Sequence, residues 1–79
     1  MKTLVLKVAL KEEDDGRWSA SIPGLPGCSS WGYTKGEALD NIKDAAQIYI
    51  EDMIGSGEDI PAPSDKIEVL NEPAVAIYL

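Results

Sequence analysis

Along the first ten residues Leu4, Leu6, Val8 and Leu10 alternate with Val5, Lys7 and Ala9, a period of two that predicts a strand with one strongly apolar face. The acidic run Glu12-Glu13-Asp14-Asp15 and Gly16 interrupt it, and Trp18, Ala20 and Ile22 resume the alternation against Arg17, Ser19 and Ser21, so a hairpin is expected. Pro23-Gly24-Leu25-Pro26-Gly27 cannot be strand interior, since its two prolines lack amide donors; Cys28 to Tyr33 can pair again, which completes a three-stranded meander. Thr34-Lys35-Gly36-Glu37 has the capping-box form, with the Thr hydroxyl accepting from the Glu37 amide and the Glu carboxylate reaching back to the Thr34 amide. Behind it Ala38, Leu39, Ile42, Ala45, Ala46, Tyr49 and Met53 recur at helical spacing, with Glu37, Asp40, Asp44, Gln47 and Glu51 on the other side. This predicts a helix over one sheet face, stopped by Gly55 and Gly57. Ile60 to Ser64 reads as an extended connector, and the tail offers two strand candidates, Lys66 to Leu70 and Ala74 to Leu79, the second with the cleaner alternation. A strand returning after a helix normally makes a right-handed crossover, which places the last strand parallel to the first. The fold class is α+β, in the order β-β-β-α-β.

With 79 residues, two cores would each be too small, so residues 1–79 are read as one domain. Its 44% hydrophobic and 27% charged residues place it with folding, soluble chains. A net charge of −7 disfavours direct binding to a phosphate backbone; if charge steers a partner, that partner is basic, although an acidic surface also serves solubility alone. Lys2 followed by an apolar run resembles the start of a secretion signal, but Lys7 breaks that run, and no stretch reaches the roughly 20 apolar residues of a membrane span. Together with the single cysteine, Cys28, this points to the cytoplasm.

The chain has no histidine, so the commonest general base and metal ligand are both missing. Cys28 therefore lacks a base to make it a nucleophile and reads as a small buried hydrophobe. The run Glu12 to Asp15 lacks the spaced ligands of a calcium loop, and Gly24, Gly27 and Gly32 do not fit phosphate-cradling spacings. No catalytic, cofactor-binding or metal-ligating residue is assigned, and no enzymatic activity is expected.

Asp15-Gly16, Trp18, Ala20, Ile22-Pro23, Leu25-Pro26-Gly27-Cys28, Gly32, Thr34, Glu37-Ala38-Leu39, Asn41, Ile60-Pro61 and Pro63-Ser64 together resemble the HicB-like antitoxin family. The centre of the match, Leu-Pro-Gly-Cys ahead of a Thr-x-x-Glu-Ala-Leu helix start, is its most specific part. The resemblance implies a truncated RNase H-like sheet with one helix on one face, and neutralisation of a small basic RNA-cleaving toxin of the HicA type by direct binding. RNase H chemistry itself needs convergent carboxylates for two metal ions, and the first strand has no acid between Leu4 and Leu10. Longer relatives add a C-terminal DNA-binding segment; this sequence stops at Leu79, so it is expected to bind operator DNA weakly, if at all, on its own. Gly24, Trp31 and Tyr33 depart from the residues usual in such proteins.

If Cys28 and Ser30 face the helix, then Ser29, Trp31 and Tyr33 face outward, and Val5 and Ala9 on the first strand extend the patch; the opposite register would bury both rings. An exposed Trp beside an exposed Tyr has the composition of an interface anchor. Val5, Ser29, Trp31 and Tyr33 are the candidate interface, for a second copy in a homo-oligomer or for a toxin. A self-assembling domain with no toxin partner is the competing function, and a hydrolase on the RNase H scaffold is a third.

Overall fold

A computed structural model describes residues 3–58 and 73–78. Its elements are β1 (Thr3–Lys7), β2 (Ala9–Glu12), β3 (Trp18–Ser21), β4 (Ser29–Gly32), α1 (Lys35–Gly55) and β5 (Ala74–Tyr78). β2, β3 and β4 form the expected antiparallel meander, and β1 pairs with β5 in a second sheet. The order is thus β-β-β-β-α-β, one strand more than the alternation predicts. The extra strand comes from Val8, whose amide donates to the Pro73 carbonyl at 2.9 Å. On one side of it the chain pairs with β5, on the other with β3. The side-chain alternation runs through the break undisturbed, with Leu4, Leu6 and Val8 all buried.

β5 lies antiparallel to β1, with Leu4 opposite Ile77 and Leu6 opposite Val75, which corrects the expectation of a parallel return. A period of two reads the same in both directions, so Val75 and Ile77 reach the core either way. The crossover rule sets the hand of a parallel return and does not make the return parallel. The strand candidate at Lys66 to Leu70 and the connector from Ile60 to Ser64 lie outside the described residues.

The helix begins where the capping motif places it. Thr34 is extended, and its hydroxyl accepts from the Glu37 amide at 3.0 Å. The reciprocal half differs: Glu37 Oε1 accepts from the amide of Tyr33, not of Thr34, at 3.1 Å. The carboxylate thereby ties the helix to the end of the β4 segment. At the other end Ser56 is the C-cap, Gly57 takes φ 75°, Gly57 donates to Ile54 and Glu58 donates to Met53. This is a Schellman stop that needs glycine at the positive φ. Ala38, Ile42, Ala46 and Ile50 are buried against Leu4, Ala20, Ile22, Leu25 and Ile77, while Leu39, Ala45, Tyr49 and Met53 flank them.

Candidate interaction surface

Three strands set the outward face of the meander. β3 and β4 pair with Ser19 opposite Trp31 and Ser21 opposite Ser29, and β2 places Lys11 opposite Ser19. Because Ala20 and Cys28 are buried, parity turns Ser29 and Trp31 to solvent. Tyr33 follows one residue after β4 on the same side. Trp31 is 47% exposed and Tyr33 68%, and their rings meet edge to face with centroids 5.1 Å apart. Trp18 takes the opposite face, half-buried beside the core, with the Lys35 ammonium 5.8 Å from its ring centroid.

Of the four candidate residues, Ser29, Trp31 and Tyr33 stand together on the β4 segment. Val5 does not join them: it sits half-buried on β1 opposite Ala76, in the other sheet. Arg17, missing from the sequence-based patch, takes the place beside Trp31, its guanidinium 5.3 Å from the ring centroid. The signal was present in the register. With Trp18 paired to Gly32, Arg17 comes level with Tyr33 and diagonal to Trp31, within reach of a long side chain.

Arg17 is held in place by the β2–β3 turn. Its amide donates to Asp15 Oδ1 at 3.0 Å, and its Nε and Nη2 both reach Asp15 Oδ2 at 2.6 Å. Gly16 makes the geometry possible at φ 89°. The Arg17 side-chain hydrogen bond, reinforced by its amide and charge, holds the Asp15 carboxyl below its usual range, and the same pair raises Arg17. Lys11 lies 3.9 Å from Glu13. The outward face of the meander therefore carries Lys11 and Arg17 with two aromatic rings, whereas five acids and two lysines decorate the helix.

The Pro-Gly segment between β3 and β4 makes two successive turns. Leu25 donates to the Ile22 carbonyl at 2.9 Å and Cys28 to the Leu25 carbonyl at 3.0 Å; Pro26 and Gly27, at φ 82°, supply the corner of the second. Leu25 is thereby driven into the core, and the Tyr49 hydroxyl donates to the Pro26 carbonyl at 2.9 Å. The Cys28 thiol is buried, and burial pushes its pKa up, away from a reactive thiolate. Among the described residues no three His, Cys, Asp or Glu side chains gather as metal ligands would, and no described helix is long and apolar enough to cross a membrane.

Comparison with known proteins places this scaffold. The chain is similar to a UPF0150 protein of Thermoplasma acidophilum, 44% identical over 54 residues that cover 68% of this chain and 78% of the relative. It is also similar to an uncharacterised 14.9 kDa protein in the rep-hol intergenic region of Haemophilus phage HP1, 31% identical over 70 residues. That match covers 89% of this chain but only 52% of the phage protein, about half its length. Among solved structures, the N-terminal domain of the Burkholderia pseudomallei antitoxin HicB superposes with a TM-score of 0.71 at 24% identity, covering 96% of this chain and 98% of that domain. The longer HicB antitoxin of that organism matches with a TM-score of 0.69 at 24% identity, over 96% of this chain and 63% of its own. The likeness shows a shared fold. The model of the HicB-like antitoxins of bacterial toxin-antitoxin systems matches residues 6–77, nearly the whole sequence, and the chain belongs to that family.

Proposed function

We propose that this chain acts, as one domain over residues 1–79, as an antitoxin that binds a small basic RNA-cleaving toxin of the HicA type and keeps it inactive. Family membership over residues 6–77 carries the reading, and a net charge of −7 suits a basic partner. The action is stoichiometric occlusion with no catalytic step, and its setting is the cytoplasm. The test begins with the coding region beside this one, which should hold a small, basic, His-containing protein. Purified, that protein should cleave RNA, and addition of this chain should suppress cleavage in proportion to the complex formed. Undiminished cleavage at an excess of this chain would refute the reading. Mg²⁺-dependent cleavage by the chain alone would instead favour the hydrolase.

A second reading, self-assembly, is favoured by one observation: Trp31 and Tyr33 present two contacting rings to solvent. In it Ser29, Trp31 and Tyr33 form the contact between copies. Direct DNA binding has no place in either reading for this chain alone. A mobility-shift titration at physiological salt should show only weak, sequence-independent retardation, and tight, competitor-resistant binding would contradict this.

A further inference from the structure

Among the described residues the outer edge of β4 is unpaired, and it lies beside a groove that the sheet and helix make together. Ile22 donates to the Cys28 carbonyl at 3.1 Å, so the ladder to β3 runs through Cys28, Ser30 and Gly32. Ser29 and Trp31 consequently turn their backbone groups to the outer edge. Asn41 Nδ2 donates to the Trp31 carbonyl at 2.8 Å, while the Ser29 amide, the Ser29 carbonyl and the Trp31 amide have no partner among the described residues. β4 carries no Lys, Pro or bulge of the kind that blunts an edge. Immediately beside it, Cys28 ahead of the strand, Ser29 on it, and Ala45, Ile48, Tyr49 and Asp52 on the helix line an open groove of about 330 Å³. Ile48 is 67% exposed there.

The charge along this flank has one sign. Helical spacing brings Glu37, Asp44, Glu51 and Asp52 to the side of α1 that carries Asn41 and Ile48. The two helix lysines lie elsewhere: Lys35 over Trp18, and Lys43 on the opposite flank.

We propose that the groove takes an extended, basic segment of a partner protein, which adds to β4 as a further strand. This deepens the toxin-binding reading and rests on it for the source of the segment. Its backbone exchanges hydrogen bonds with Ser29 and donates no proton to the Trp31 carbonyl, already held by Asn41; an apolar side chain fills the groove against Ile48, and flanking Lys or Arg side chains face Asp44 and Asp52. A second copy is a poorer occupant. A two-fold pairing of β4 edges would set the same acidic flank against itself, in chains of charge −7 each.

The experiment follows amide hydrogen exchange by NMR in the full chain. A blocked peptide of about seven alternating Lys and Val residues, a typical strand length, is the probe. Exchange at Ser29 and Trp31 should slow by about tenfold or more at saturating peptide. The same peptide N-methylated on alternate residues, a Glu/Val peptide, and the Ile48→Lys variant should each remove the effect, the variant with its core amides still protected. Unchanged exchange at Ser29 and Trp31, or an equal response to the N-methylated peptide, would overturn the proposal. So would protection in the free chain that grows with protein concentration, since the occupant would then be a second copy. Failure of RNA protection with peptide docking intact would refute the toxin reading and leave the groove standing. Full toxin neutralisation by Ile48→Lys would refute the groove as the toxin's seat and leave the antitoxin reading standing.

Discussion

Gly32 occupies the tightest approach between the sheet and the helix. A Cβ built there would lie 2.5 Å from the Ala38 amide nitrogen and 2.9 Å from Glu37 backbone and Cβ atoms, none of which can swing aside. Gly32→Ala is therefore expected to destabilise the chain by about 2 kcal/mol or more, as forced overpacking does, and urea denaturation measures it. A midpoint equal to wild type would mean that the helix can shift. Asp15 allows a pH test with a defined sign. Its folded-state pKa is below the unfolded value of 3.8, so its pairing with Arg17 favours folding above that pH and loses its contribution as pH falls through the lower, folded value. Both side chains are exposed, so the effect is small and weakens with salt. An NMR titration should find the Asp15 carboxyl below its ordinary range, and Arg17→Gln should return it upward. A carboxyl that titrates the same with and without Arg17 contradicts the pairing.

At the scale of elements, the caps explain why one long helix starts and stops where it does. Thr34→Ala removes the acceptor for the Glu37 amide and is expected to cost about 1 kcal/mol. Glu37 should keep its bond to the Tyr33 amide in that variant, so Thr34→Ala and Glu37→Ala should be partly additive in denaturation. A Glu37→Ala cost that vanishes in the Thr34→Ala background would show the two acting as a single reciprocal box. The split of the first strand at Val8 is the other decision made at this scale. The stretch Leu4 to Leu10 has one apolar face, yet its edge serves β5 along one part and β3 along the next.

For the whole molecule, charge and aromatic surface separate. The outward sheet face bears the Trp31–Tyr33 pair with Arg17, and among the described residues the acids crowd the helix and the β2–β3 turn. Under the self-assembly reading the rings meet a second copy; under the toxin reading the acidic flank meets a basic chain. On the self-assembly reading, light scattering should give wild type a mass above monomer, and Trp31→Ser should dissociate it while leaving circular dichroism unchanged. A monomeric wild type would remove that reading. Truncating such an anchor is expected to cost roughly 2 kcal/mol of association.

Much of this was legible in the chain because it depends on neighbours close in sequence. Period-two alternation marked the strands, helical spacing marked α1, Thr34 marked its first turn, and parity with Cys28 and Ser30 turned Trp31 and Tyr33 outward. Those signals are local, since side-chain direction follows backbone geometry residue by residue. The direction of β5, the break at Val8, the exchange of Thr34 for Tyr33 as partner of Glu37, and the need for glycine at position 32 were decided only when distant segments met. So were the ring contact of Arg17, the exclusion of Val5 from the patch, and the groove beside Ile48 and Asp52. Each depends on which strand lies alongside which edge and on how the helix is rotated above it, and alternation is blind to both because it is unchanged by reversing a strand or by exchanging its neighbour.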